Sequence, residues 1–211
     1  MRIEKLDGLR GVFSIMVVLF HFSSEFLPAI FFNNFLIRQS VIFVDFFFVL
    51  SGFVIALNYR NLSKVNAFKT YLKKRFIRIY PLLFWTAMVF LGVYYTSTFL
   101  GLTKSSSEVE GRWLLNLAET LLLTNSTPLL GVNYGINYPS WTISSEMISY
   151  LVFGVLSIVL LTLKKSLKVA IVIGICITFL LSLKQYWVND DYGFVRGLYA
   201  FLSGYFVFKC Y

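Results

Sequence analysis

The chain is poor in the groups with which soluble proteins meet water. Of its 211 residues only 14% are charged and only 10 are acidic. Soluble domains carry about 25% charge, so a chain of this length with so little polar surface cannot keep itself in water as one compact unit. Cysteine is nearly absent. Cys176 and Cys210 each lie in an apolar segment, without metal-ligand spacing, which excludes a disulfide scaffold and leaves both as small apolar fillers. There is one histidine, so no histidine-rich metal centre is expected and no metal is assigned. Glycine-rich phosphate loops, serine-nucleophile motifs and internal repeats are also missing. No small-residue cleavage site follows the first apolar run, so no cleavable signal peptide is expected.

What is present is apolar bulk. Hydrophobic types make up 58% of the chain and phenylalanine alone fills 23 positions; the mean hydropathy is +0.74. Several runs are long enough to cross a hydrocarbon core of ~30 Å. The expected fold is all-α, a polytopic transmembrane helical bundle forming one membrane domain over residues 1–211. Helices are the natural spanning element because lipid cannot pair with an open backbone. Six spans are expected, at about 12–31, 41–57, 79–100, 142–163, 169–187 and 195–207. His21, Ser23, Ser24, Glu25 and Pro28 interrupt the first, making its outer end irregular. The run Trp113 to Thr124 is too short to span and carries Asn116 and Glu119, so it reads as an interfacial or protein-buried helix.

The net charge of +9 would point to nucleic acid in a soluble protein. Here the basic residues cluster between apolar runs, so no nucleic-acid partner is expected and membrane lipid headgroups are. The stretch Asn58 to Arg78 holds seven basic residues and no acidic one, which reads as a cytoplasmic loop. By alternation both termini are then cytoplasmic. The turn with Lys164, Lys165 and Lys168 falls on the same side, and Glu108, Glu110, Asp190 and Asp191 on the other.

Ionisable groups inside spans are costly and hence candidates for function. Arg10 and His21 are eleven residues apart; at about 100° per residue they return to one helix face, ~16 Å apart along the axis. Ser14 lies near that face. His21 either hydrogen-bonds a neighbouring span or belongs to a reactive site. Asp45 can orient an imidazole, pair with an arginine or cap a helix. Ser51 and Gly52 suit close helix packing. Arg75 and Arg78 share a face and suit a phosphorylated ligand, or simply anchor the chain at the membrane surface. Pro81 suits a span start, where a missing N–H costs little. Glu146 sits a turn into the fourth span, behind an interfacial Trp141 and a capping Ser140 or Thr142.

Taken in order, these segments resemble one family. The opening KLDGLRGVFSIMVVLFHF, with Arg10 and His21, the FFVLSG run from Phe47 to Gly52 behind Asp45, the Arg75–Arg78 pair, the Trp141–Glu146 region and the segment starting at Arg196 and Gly197 are similar to the acyltransferase family 3 membrane proteins. There are departures. WTISSEMISY stands where the family commonly has WSLSVEEQFY, and family members typically have about ten spans, so the chain resembles an N-terminal portion.

The resemblance implies an enzyme of a bacterial inner membrane that moves an acyl group, commonly acetyl, from cytoplasmic acyl-CoA to a hydroxyl of a surface carbohydrate. No permanently bound cofactor is implied; acetyl-CoA is a co-substrate. It assigns His21 as general base with Arg10, Asp45 and Glu146 as catalytic partners. Arg10, Arg75 and Arg78 would bind the donor, and Glu146 and Trp141 the acceptor. Two other readings stay open: an inert fragment, or one that needs a complementary membrane subunit; and, further off, a small transporter.

Overall fold

A computed structural model describes residues 4–22, 28–32, 34–59, 62, 65–102, 107–130, 135–159, 164–184 and 191–211. They form nine α-helices: α1 (Glu4–His21), α2 (Ala29–Phe32), α3 (Phe35–Arg38), α4 (Val41–Asn58), α5 (Val65–Phe99), α6 (Ser107–Leu122), α7 (Trp141–Ile158), α8 (Lys165–Ser182) and α9 (Gly193–Cys210), with a 3-10 turn at Tyr138–Ser140 leading into α7. No strand occurs among the described residues, in accord with the all-α expectation.

Among the described residues, four helical stretches are long and apolar enough to cross a membrane: Val41–Asn58, Val65–Phe99, Tyr138–Ile158 and Lys165–Ser182. The other two of the six expected spans, in α1 and α9, do not meet that measure of length and composition. Helix α9 is excluded because Arg196, Lys209, three glycines and two tyrosines dilute its 18 residues. Its environment explains how it tolerates them. It packs against α4, α7 and α8, and most of its residues are buried, so protein rather than lipid surrounds Arg196 and Tyr205, while Lys209 at its end is exposed. Helix α1 carries Glu4, Lys5, Asp7 and Arg10 along its first turns. The outer end of its expected span, with Ser23, Ser24 and Glu25, lies outside the described residues. So do the ends of the fourth and fifth expected spans, and Arg60, Lys64 and Asp190.

The basic stretch before the third span is also corrected. From Val65 it is not a loop but the first turns of the 35-residue α5. Pro81 therefore lies deep inside that helix and not at its start. It removes the N–H that would reach the carbonyl of Ile77. The short run around Trp113 is helical as expected, with Glu119 and Thr120 fully buried.

The core lies between α4, α7, α8 and α9, built from Phe48, Ile55, Trp141, Phe153, Val169, Phe201 and Leu202 with their neighbours. Cys176 joins it as a filler, but Cys210 is exposed, contrary to expectation. Both thiols are free. The closest approach is between α4 and α9. A Cβ built on Gly52 would stand 1.8 Å from the Phe201 carbonyl oxygen, and one on Gly204 2.0 Å from that of Val49. Small residues let helix backbones meet where lipid offers no hydrophobic drive between helices. This contact sets the height at which α9 presents Arg196 to α4.

Candidate functional site

Helix α1 leans on α4 through Phe13, whose ring stacks on Phe43 at 4.2 Å and meets Phe46 edge-on at 5.0 Å. That contact brings the last turn of α1, and His21, alongside the start of α4 and of α7. The His21 Nδ1 lies 2.8 Å from the Val17 carbonyl oxygen. A carbonyl only accepts, so Nδ1 carries the proton and donates. The neutral ring then keeps its basic lone pair on Nε2.

Two neighbouring cavities share His21, Val17, Val44 and Trp141 as walls. The first, about 430 Å³, is completed chiefly by Gln39, Ser40, Tyr138 and Arg196. The second, about 340 Å³, is completed by Val18, Phe47, Phe48 and Pro139 with Ser14, Thr142 and Glu146. Of the residues singled out in the sequence, His21, Trp141 and Glu146 thus meet around one space. Arg10, Arg75 and Arg78 line neither cavity.

Asp45 takes the arginine among its expected partners. The fully buried Arg196 donates from Nε to Asp45 Oδ1 at 2.8 Å and from Nη2 to Oδ2 at 3.1 Å, and again from Nη2 to the Val41 carbonyl at 3.1 Å. Its guanidinium also stands 5.6 Å from the centre of the Trp141 ring. Asp45 makes no hydrogen bond to His21, so the idea that it orients the imidazole is corrected. The carboxylate faces the Arg196 guanidinium, and the one proton of the neutral imidazole is given to the Val17 carbonyl. Arg196 was legible as a motif residue but not as a member of the site. The signal was there: an arginine within an apolar span has to be paired, and Asp45 was the carboxylate in want of a cation.

Glu146 is held by two hydroxyls. Its Oε1 accepts from Ser51 Oγ and from Tyr150 OH, each at 2.5 Å. Tyr150 and Ser51 were not foreseen in this role. Further along α7, the Arg75 guanidinium stands 5.8 Å from the Tyr150 ring and 5.2 Å from the Tyr59 ring, with Nη2 donating to Tyr59 OH at 3.3 Å. Its Nε is buried without a hydrogen-bond partner. A file of groups therefore runs from the cavities through Glu146 and Tyr150 to Arg75. Arg78 stands exposed on α5. Arg10 lies on α1 beside Asp7, at 3.7 Å.

The expected caps of α7 are not made. Ser140 Oγ donates to the Asn137 carbonyl and accepts from Asn125 Nδ2 at 2.6 Å, and Thr142 Oγ1 donates to the Pro139 carbonyl at 2.8 Å. These bonds, with Ser126 Oγ to Ser144 Oγ at 2.8 Å, tie the segment after α6 to the start of α7. They hold Trp141 against the cavities.

Comparison with known proteins now bears on this arrangement. A family model described as an acyltransferase domain matches residues 3–211. The chain belongs to this acyltransferase family. Acyltransferase MdmB of Streptomyces mycarofaciens is similar, 32% identical over 164 residues, covering 72% of this chain and 38% of that protein. The chain thus spans well under half of the length of this relative. No solved structure matches. With four helices of membrane-spanning length and composition, this member of the acyltransferase family is an integral, multi-pass membrane protein.

Proposed function

We propose that this acyltransferase-family protein moves an acyl group from a cytoplasmic acyl-CoA to a hydroxyl of a cell-surface carbohydrate, from within a bacterial inner membrane. The observation that carries the reading is His21: Nδ1 is committed to the Val17 carbonyl, and the ring lines both cavities beside Trp141. An imidazole with one protonated and one basic nitrogen suits general-base work. In the step, Nε2 takes the proton of the acceptor hydroxyl as its oxygen attacks the thioester carbonyl carbon. The carbon–sulfur bond breaks, and the imidazolium returns the proton to the leaving thiolate. The products are an ester and free CoA.

Arg75, with its buried unpartnered Nε, and the exposed Arg78 are suited to the donor's phosphates; Arg10 is assigned to the donor as well. Glu146 and Trp141 serve the acceptor. Asp45 acts through Arg196 as a positioning group. In this reading α1 and α9 also cross the membrane, giving six spans with both termini cytoplasmic, as the basic clusters suggest.

The test is acyl transfer to endogenous surface glycan in cells expressing this chain, read as added mass. The expected result is a gain with wild type and none with an equally inserted His21→Ala variant, since loss of a general base costs about 10²–10⁴ in rate. Equal gain from the variant would refute the base assignment. A second reading, favoured by the 38% coverage of the relative, is that transfer needs a complementary membrane subunit. It predicts activity only when the remaining helices of such a relative are co-expressed.

A further inference from the structure

We propose that Lys165, Lys168 and Lys209, where the end of α7, the start of α8 and the end of α9 come together, bind the phosphate of one anionic phospholipid whose chains lie along α8. The inference is independent of the acyl-transfer reading.

The sequence sets up the charge imbalance. After Glu146 the chain has no acidic residue before Asp190, and none after Asp191. Glu146 itself lies thirteen residues, ~20 Å of helix, from Val159 at the end of α7. Folding then gathers cations at that end. Lys165 Nζ stands 3.9 Å from the centre of the Phe153 ring and 5.7 Å from that of Tyr205, and Lys209 Nζ stands 5.8 Å from the same Tyr205 ring. Lys168 Nζ donates to the Val159 carbonyl at 2.7 Å. Lys168 and Lys209 both repel Lys165. Among the described residues, none of the three lysines forms an ion pair.

Lys168 makes the imbalance costly. It is only 6% exposed, and a buried ammonium calls for an anion. The Val159 carbonyl and the end of the α7 dipole supply a fraction of a charge, and the aromatic rings supply quadrupoles. These hold the ammonium groups in place but do not neutralise three of them. The start of α8 adds to the positive potential, since its first turn holds no acidic residue and Lys164 at its N-cap makes no side-chain cap. A phosphate brings negative charge and several acceptor oxygens to such a place at once.

The surroundings favour a lipid over a soluble phosphate. Helix α8 has the length and composition of a membrane span, so its first residues fall at headgroup level. From there Leu167, Ile171 and Ile175, four residues apart and so on one face, are exposed. A cationic end that continues into an apolar stripe matches both halves of an anionic phospholipid. A soluble phosphate compound would meet the lysines but gain nothing from the stripe.

The experiment titrates the full chain, purified in a neutral detergent, with phosphatidylglycerol or with phosphatidylcholine of the same chains, and counts bound lipid by native mass spectrometry. Wild type is expected to retain one phosphatidylglycerol in preference to phosphatidylcholine. Lys165→Gln and Lys209→Gln should each weaken that retention about fivefold, the scale of one basic residue at an anionic surface. Lys69→Gln, at an exposed lysine of α5, should leave it unchanged. Melting of the same samples separates binding from packing. Phosphatidylglycerol should raise the wild-type melting temperature above its value with phosphatidylcholine, and Lys168→Gln should abolish that difference even if it lowers both values. If Lys168→Gln does not fold, retention by the Lys165 and Lys209 variants decides the case. Equal losses for Lys69→Gln and Lys165→Gln, or a melting difference kept by Lys168→Gln, would show general surface attraction and overturn the site. Displacement of the lipid by an equal concentration of soluble glycerol phosphate would overturn its assignment to a lipid.

Discussion

Replacing Gly52 by alanine should do more damage than its one added methyl suggests. The new Cβ would stand 1.8 Å from the carbonyl oxygen of Phe201, and this oxygen belongs to the backbone of α9, which has no rotamer to change. An ordinary contact needs 3.4 Å or more, so α4 and α9 must separate by roughly 1.5 Å. Overpacking of this kind costs about 1–3 kcal/mol. The same interface carries the Arg196–Asp45 bonds at 2.8 and 3.1 Å. Hydrogen bonds of that length do not survive such a displacement, and losing a buried pair adds about 3 kcal/mol more. Gly92 and Gly174 provide the control. Both are helical, and a Cβ added at either would meet no atom within 4 Å, so alanine there should be neutral or stabilising by up to about 1 kcal/mol. Thermal unfolding in detergent, followed by far-UV circular dichroism, separates the cases. If Gly52→Ala melts with Gly174→Ala instead of well below it, the backbone contact does not govern the α4–α9 packing and the reasoning fails.

Other outcomes follow from the same geometry. Arg196→Ala should destabilise by about 3–5 kcal/mol because it strands a carboxylate, while Asp45→Ala combined with it should cost less than the two single changes added; additive losses in a double-mutant cycle would contradict the pair. Glu146→Gln keeps the shape but replaces charged acceptance from Ser51 and Tyr150, and should cost about 1–3 kcal/mol in unfolding free energy. Arg75→Ala should lower the melting temperature and raise the donor KM, because the guanidinium packs on Tyr59 and Tyr150. Arg78→Ala, from an exposed position, should change only the KM; equal melting losses for the two arginines would be inconsistent with this contrast.

Much of the fold was legible in the residue order. Long apolar runs with few charges can only be satisfied as helices in lipid, so the helix positions near 41–57, 142–163 and 169–187 emerged to within a few residues at the described ends. Gly52 was legible as a packing position because a glycine in an apolar helix has few other uses. The start of α5 was not legible. Its basic residues suit a loop by composition, yet lysine and arginine are good helix formers, and the helix simply extends out of the apolar region. Nor can hydropathy tell a helix facing lipid from one enclosed by others, so the burial of α9 against α4, α7 and α8 was not legible.

Within the site, the sequence alone determined which groups are chemically expensive: a lone histidine on α1, an aspartate in α4 and a glutamate in α7, each inside an apolar stretch. One-dimensional spacing also determined that Arg10 and His21 share a helix face. Tertiary structure alone decided the partners. Asp45 meets Arg196 across 151 positions of chain and Glu146 meets Ser51 across 95, pairings that depend on how closely α4, α7 and α9 approach. That approach depends in turn on Gly52 and Gly204, where an added Cβ would stand under 3 Å from the facing backbone. Helical periodicity says which way a side chain faces, but only the packing of one helix on another decides what it finds there.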